Sequence, residues 1–227
     1  MEDGSLMIKV LYEDNHLLVV FKPANVLVQA DNTNDEDMLT MLKSYIKEKY
    51  NKPGNVYLGL IHRLDRPVSG VMVFARTSKA ASRLSEQIRN KSFKKTYLAV
   101  VCGKVKKSAV FVDKLVKDAK RNKVWVSLEG KEAELSYKLI DYKDGFSLVE
   151  IDLKTGRPHQ IRVQFASRGF PLYGDKKYNS KVTKGDIALL AKKVEFFHPV
   201  TKEKMVFSVD IPDKYPFSLF KGGKDER

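Results

Sequence analysis

Short strand-like segments follow one another along almost the whole chain with few helical stretches between them, and this succession limits the fold more than any other feature. Alternating or unbroken apolar character marks residues 8–12, 17–21, 71–74, 93–101, 110–112, 123–128, 133–139, 146–153, 194–197 and 205–209. Asp144-Gly145 stands between two of these segments and is a strong hairpin signal. Lys202-Glu203-Lys204 supplies a turn between the last two. Helical spacing is confined to three places. Residues 38–50 follow the acidic stretch 31–37 and set Leu39, Leu42 and Ile46 on one side. A second helix is capped by Ser78 and ends near Asn90. A third runs over 158–168, where Pro158 suits a first turn and Gly169 a C-terminal cap. Strands this numerous, with so few helices, predict an α+β fold with a largely antiparallel mixed sheet flanked by a few helices. One domain over residues 1–220 is expected, with a disordered tail at 221–227 and no internal repeat.

Within this frame one carboxylate is conspicuous. Asp65 lies in His62-Arg63-Leu64-Asp65-Arg66-Pro67-Val68-Ser69-Gly70, between two arginines in a chain of net charge +14. An extended stretch here would send His62 and Leu64 to one face and Arg63 and Asp65 to the other. Pro67 favours extension at Arg66. Ser69-Gly70 would then turn the chain into Val71-Met72-Val73-Phe74. Flanking guanidinium groups favour the ionised carboxylate, the form a nucleophile or general base requires. A structural Arg–Asp pair at a strand end is the alternative.

A second cluster lies far along the chain. It begins Thr155-Gly156-Arg157-Pro158-His159-Gln160-Ile161-Arg162 and continues through Gly169, Pro171, Gly174 and Asp175 to Tyr178. Ile161 and Phe165 share a helix face by their spacing, with Arg162 at its border, where a planar and always-charged group could reach a partly buried carboxylate. Asp175 after Gly174 has the look of a turn residue. Between the clusters, Lys94 to Val101 alternates as a strand and sets Tyr97 beside basic residues. Taken singly, Tyr97 reads equally as a cross-strand aromatic, Arg162 as a surface residue, and His62 and His159 as hydrogen-bonded histidines near the core.

Together these segments resemble the RluA-like family of pseudouridine synthases. The His-Arg-Leu-Asp loop is followed by Ser69-Gly70 as in the family, with Val68 where a threonine is usual. The Thr-Gly-Arg-x-His-Gln-Ile/Leu-Arg signature is complete, and Lys95, Tyr97, Ala99 and Val101 match its Lys-x-Tyr-x-Ala-x-Val segment. Lys22-Pro23 matches an early Lys-Pro element. Ala24-Asn25 stands where Ala/Ser-Gly is common, Asn179 where glycine is usual, and Leu190 where histidine is often seen. Phe197-His198-Pro199-Val200-Thr201 also fits, so the likeness runs from about Val10 to about Pro212.

The resemblance implies isomerisation of uridine to pseudouridine in structured RNA, ribosomal or transfer, without cofactor or metal. By that analogy Asp65 is the essential carboxylate, as nucleophile or by assisting departure of the base. Tyr97 stacks on the uracil, Arg162 orients Asp65, and Arg63 helps displace the target nucleotide from its helix. His62, Lys22, Arg66, Arg157 and His159 are expected to contact or position RNA. In the resemblance, larger relatives carry an N-terminal S4-type domain; with the Lys-Pro element so early, none is expected here.

Composition agrees with a polyanionic partner, since Lys+Arg number 42 against 28 Asp+Glu. Basic stretches at 89–95, 104–107, 114–123 and 176–193 are interleaved with Trp125, Tyr173 and Tyr178. Such lysines more commonly form a solvated face, and Trp125 between two valines suits a core. No apolar run approaches a membrane span and no basic amphipathic helix is evident. The single cysteine, Cys102, leaves no internal disulfide and suits a reducing compartment. A cytoplasmic monomer is expected. Two other classes compete: an RNA-binding protein of the same fold without catalysis, which loss of Asp65, Tyr97 or Arg162 would favour, and a metal-dependent nuclease using His62, Asp65, His159 and Asp175, which lacks the short metal-binding spacings.

Overall fold

The computed structural model describes residues 8–33, 35–179 and 185–221. The chain runs through β1 (Lys9–Glu13), β2 (Leu17–Lys22), α1 (Met38–Lys49), β3 (Gly59–Leu60), β4 (Ser69–Ala75) and α2 (Ser78–Arg89). It continues through β5 (Lys94–Cys102), β6 (Ser108–Asp118), β7 (Lys123–Val126), β8 (Lys131–Lys143) and β9 (Phe146–Leu153). Last come α3 (Gln160–Ala166), β10 (Leu189–Phe197), β11 (Lys204–Ser208) and the short 3-10 helix Phe217–Phe220. Two compact units result, Met1–Phe93 with Val194–Val209, and Lys94–Lys193 with Asp210–Arg227. The class is α+β, and every strand pair whose register is described is antiparallel. Residues 222–227 of the expected tail lie outside the described residues.

In the first unit the strand order is β1-β2-β4-β10, with β3 also on β4 and β11 on β10. Leu17, Leu18, Val19 and Val20 are fully buried, which is why β2 reads as an unbroken apolar run rather than an alternating one. Leu17 and Val19 pack with Val71, Val73, Ala80, Leu84, Phe93 and Phe196, so α2 closes one face of this sheet. The α2 cap is Thr77, one residue before the expected Ser78, with its side chain accepting from Ala80 N–H. Asp37 caps α1 in the same way through Thr40 N–H. Ser69 and Gly70 begin β4 itself, Gly70 pairing with Lys22, so they form no separate turn.

In the second unit the order is β10-β5-β9-β8-β6-β7. Asp144 (φ 52°) and Gly145 (φ 82°) form the two-residue connection of the β8–β9 hairpin, both left-handed as the primed turn requires. β6 extends well past the expected 110–112 because Phe111 and Leu115 face inward while Val110, Val112 and Lys114 face out. Valines 110, 112 and 116 on its outer face, and Asp113 and Lys117 on the other, mask the alternation in sequence. Phe111, Tyr137 and Phe165 meet edge-on or tilted at 5.1–5.3 Å between centroids and form the aromatic centre of this unit.

Helix α3 begins two residues after Pro158 because His159 takes a left-handed conformation (φ 51°, ψ 19°), which helical geometry excludes. Gln160 through Phe165 are all buried, so Arg162 occupies no face border; it is inside.

Candidate active site

The Asp65 loop is irregular between β3 and β4, with Leu64 and Val68 buried, Arg63 and Arg66 exposed and Asp65 half-buried. Val68 N–H donates to the Asp65 carbonyl at 2.9 Å, closing a tight turn over Pro67. His62 is directed inward: its Nε2 accepts from Val73 N–H at 3.0 Å, and its ring lies against Phe93. Accepting at Nε2 requires that lone pair, so the neutral ring carries its proton on Nδ1.

Lys22, expected at the RNA surface, is instead fully buried. Its Nζ donates to the carbonyls of Pro23 (3.0 Å), Arg66 (2.9 Å) and Val68 (2.7 Å), which uses all three ammonium hydrogens. Two of those carbonyls flank the turn that carries Asp65. Burial lowers the Lys22 pKa to about 7, with the Asp65 charge raising it and Arg66 lowering it further. Lys22 therefore holds the loop from behind, by hydrogen bonds and by its field. Asn25 takes φ 67°, the conformation that makes glycine common there; asparagine is among the few other residues that tolerate it. Arg66 remains exposed, but its guanidinium is held by Asp35 (2.6 Å) and the Asn25 carbonyl (3.2 Å). Arg63 is the exposed cation immediately before Leu64 and Asp65.

The other candidates belong to the second unit. Tyr97 is buried on β5, opposite Ile151 of β9. Arg162 is clamped by Asp175, Nε to Oδ2 at 2.8 Å and Nη2 to Oδ1 at 2.7 Å, with the two side chains 6% and 0% exposed. This bidentate fork fixes the guanidinium plane. Asp175 Oδ1 also accepts from Lys177 N–H (3.0 Å) and Tyr178 N–H (3.3 Å), so the expected turn residue is equally the partner of Arg162. Gly174 precedes it at φ 70°, where a Cβ would stand 2.1 Å from the Asp186 carbonyl oxygen.

Tyr178 and Gln160 hold the remaining pieces. The Tyr178 hydroxyl accepts from Val124 N–H (2.9 Å) and pairs with His159 Nδ1 (2.7 Å), while Arg162 lies over its ring at 5.2 Å. Gln160 Oε1 accepts from the Thr155 hydroxyl (2.8 Å) and Arg157 N–H (3.0 Å), tying down the loop before α3. Arg157 spends Nε on the Glu132 carbonyl (2.8 Å). Lys95 is half-buried beside Gly156, and desolvation there lowers its pKa. At the positions that depart from the family pattern, Val68 and Leu190 are buried apolar residues, and Asn179 is buried with Nδ2 on the Leu172 carbonyl (3.1 Å). Among the described residues no group of three His, Cys, Asp or Glu side chains stands close enough to hold a metal ion.

Thus Lys22, His62, Arg63, Asp65 and Arg66 are brought together in one unit, and Arg157, His159 and Arg162 in the other, with Tyr97 on its central strand. The anchoring roles of Lys22, Tyr178 and Gln160, and the pairing of Asp175 with Arg162, were not read from sequence. Signals existed for Asp175, as a turn residue after Gly174, and for Lys22, as the terminal residue of an otherwise apolar strand.

The sequence profile described as RNA pseudouridylate synthase matches residues 16–167, a span that contains the Asp65 loop, Tyr97 and the whole of α3. The chain belongs to this family. Curated relatives of the synthase agree over nearly its whole length. It is 32% identical over 226 residues to an RNA pseudouridine synthase of Aquifex aeolicus, covering 93% of this chain and 72% of the relative. It is 34% identical to ribosomal large subunit pseudouridine synthase D of Xanthomonas campestris, covering 91% of this chain and 66% of the relative. Among solved structures, human RNA pseudouridylate synthase domain containing 4 superposes with TM-score 0.78 at 21% identity, over 93% of this chain and 92% of that one, and shows the shared fold. The synthase is accordingly an RNA-modifying isomerase that converts uridine to pseudouridine. No helix among the described residues is long and apolar enough to cross a membrane.

Proposed function

We propose that Asp65 is the carboxylate at which this synthase breaks the bond between uracil N1 and ribose C1′, and that its substrate is a structured ribosomal or transfer RNA. The observation that carries the assignment is the anchoring of the Asp65 turn by a fully buried ammonium group. A chain does not bury a lysine, against its strong hydration, to shape an indifferent surface loop. In this proposal a carboxylate anion beside C1′ stabilises positive charge as the base departs.

The isomerisation conserves atoms and electrons. The N1–C1′ bond breaks, the detached uracil turns about its ring, C5 bonds to C1′, and the proton on C5 leaves as N1 gains one. Tyr97, on a rigid central strand, is the aromatic face proposed to hold the uracil while it turns. Arg162, its plane fixed by Asp175, is proposed to orient the Asp65 carboxylate. Exposed Arg63 is proposed to take the place of the extruded nucleotide in its helix. The named large-subunit relatives support ribosomal RNA as the first substrate to examine.

The test is to incubate the synthase with in vitro transcribed large-subunit ribosomal RNA and bulk transfer RNA in the presence of a chelator, then digest to nucleosides and separate them. Pseudouridine from RNA whose chain length is unchanged is the expected result. Shortened RNA without pseudouridine would overturn it in favour of a nuclease. Intact RNA bound without pseudouridine would favour a non-catalytic binder on those RNAs.

A further inference from the structure

The β6–β7 hairpin lies outside the candidate catalytic residues and concentrates positive charge. Residues 114–123 contain Lys114, Lys117, Lys120, Arg121 and Lys123 against the single acid Asp118. All five cations are exposed, and Arg121 reaches Asp118 only at 3.8 Å while remaining 84% exposed. Elsewhere surface lysines find closer partners, as Lys49 does with Glu13 (2.7 Å) and Lys214 with Asp186 (2.8 Å). Strand alternation puts Lys123 and Trp125 on the same face of β7, and Trp125 pairs with Val116 rather than entering the core. The indole is 44% exposed, and it shares the outer face of the hairpin with Val116, opposite which it stands. A partly bare tryptophan set among exposed cations that outnumber their one nearby acid in the hairpin matches a nucleic acid strand: phosphates for the cations and a base face for the ring.

The hairpin is also fixed to the helix that carries Arg162. Val124 is buried against Leu115, Ala133 and Val163 of α3, with Tyr178 packed on the group. The Tyr178 hydroxyl joins Val124 N–H to His159 at the start of α3, and Lys177 Nζ donates to the Asn122 carbonyl in the hairpin turn (2.7 Å).

Resting on the RNA-modifying reading, we infer that the β6–β7 hairpin is a second RNA-contact surface, with Lys120, Arg121 and Lys123 on phosphates and Trp125 stacked on a base away from the target uridine. Tyr178 holds this surface in register with α3.

The experiment measures equilibrium binding of large-subunit ribosomal RNA transcript and bulk transfer RNA by Asp65→Asn protein, in which turnover is blocked, across a salt series. Lys120→Ala/Arg121→Ala/Lys123→Ala should weaken binding about tenfold or more and flatten the log–log salt dependence by about 2–3. Trp125→Ala should weaken it about five- to tenfold, and Trp125→Phe should recover most of that loss, which a purely electrostatic patch would not show. In Asp65-containing protein the same changes should raise KM and leave kcat at saturating RNA within about twofold. Unchanged affinity and salt slope in both the triple variant and Trp125→Ala would overturn the inference. So would a Trp125→Ala effect confined to self-association in sedimentation, which would make the face a contact between copies. Binding is read without turnover, so these outcomes are separable from failure of the proposed Asp65 chemistry.

Discussion

Replacing Lys22 by methionine separates a loop anchor from an RNA contact, and its signature depends on pH. The unfolded chain holds the Lys22 proton up to the ordinary value of 10.5, whereas the folded chain releases it near 7. Between those values the unfolded state binds more protons, so wild-type stability rises with pH across the window and the contribution is lost as pH falls through about 7. The full difference corresponds to about 5 kcal/mol, and the slope to about 1.4 kcal/mol per pH unit. Methionine removes the titrating group but leaves the carbonyls of Pro23, Arg66 and Val68 facing a thioether, at about 1–3 kcal/mol each. Near pH 7 relief from burying a charge offsets much of that loss. By pH 9 it no longer does, so the stability gap between wild type and Lys22→Met should widen by about 2–3 kcal/mol. Urea unfolding at pH 7, 8 and 9 measures this directly. The variant should also lose kcat while RNA affinity changes little, because the damage falls on the Asp65 turn. Parallel stability curves, or a loss of affinity with kcat intact, would refute the reasoning and return Lys22 to the surface.

Three further outcomes follow from the packing. Asp175→Ala leaves the buried Arg162 fork without its carboxylate and should destabilise the synthase by about 3–5 kcal/mol in urea unfolding. Asp175→Asn, which keeps the shape, should cost less. Gly174→Ala forces a Cβ towards the Asp186 carbonyl at a left-handed position, so unfolding should show a loss of more than about 1 kcal/mol, with activity falling as Asp175 is displaced. Thr77→Ala removes the α2 cap and should cost about 1 kcal/mol in stability with kcat unaltered, since that helix carries none of the candidate residues.

Local chemistry made much of this molecule legible. The β8–β9 hairpin follows from Asp144-Gly145, because few other pairs accept two left-handed residues in succession. The burial of β2 follows from its unbroken apolar run, and the Asp65 loop and α3 signatures followed from a family pattern rather than from periodicity. What stayed hidden was set by tertiary environment. Lys22 carries a side chain that is nearly always solvated, and only the three converging carbonyls explain its burial. Arg162 lies inside because α3 is short and enclosed on all sides, whereas helical spacing alone assigns charged residues to a border. His159 displaced the start of α3 by adopting a conformation that no pattern of hydrophobicity encodes. Asp175 showed its turn chemistry but not its partner, which lies 13 residues away in sequence.

The central claim concerns the Asp65 carboxylate, and release of tritium from uracil C5 tests it most directly, since that hydrogen leaves only when C5 joins the ribose. Wild-type synthase acting on RNA transcribed with C5-tritiated uridine should release the label in proportion to pseudouridine formed. Asp65→Asn, nearly identical in shape but uncharged, should release none while binding the same RNA. Undiminished release from Asp65→Asn would contradict the account.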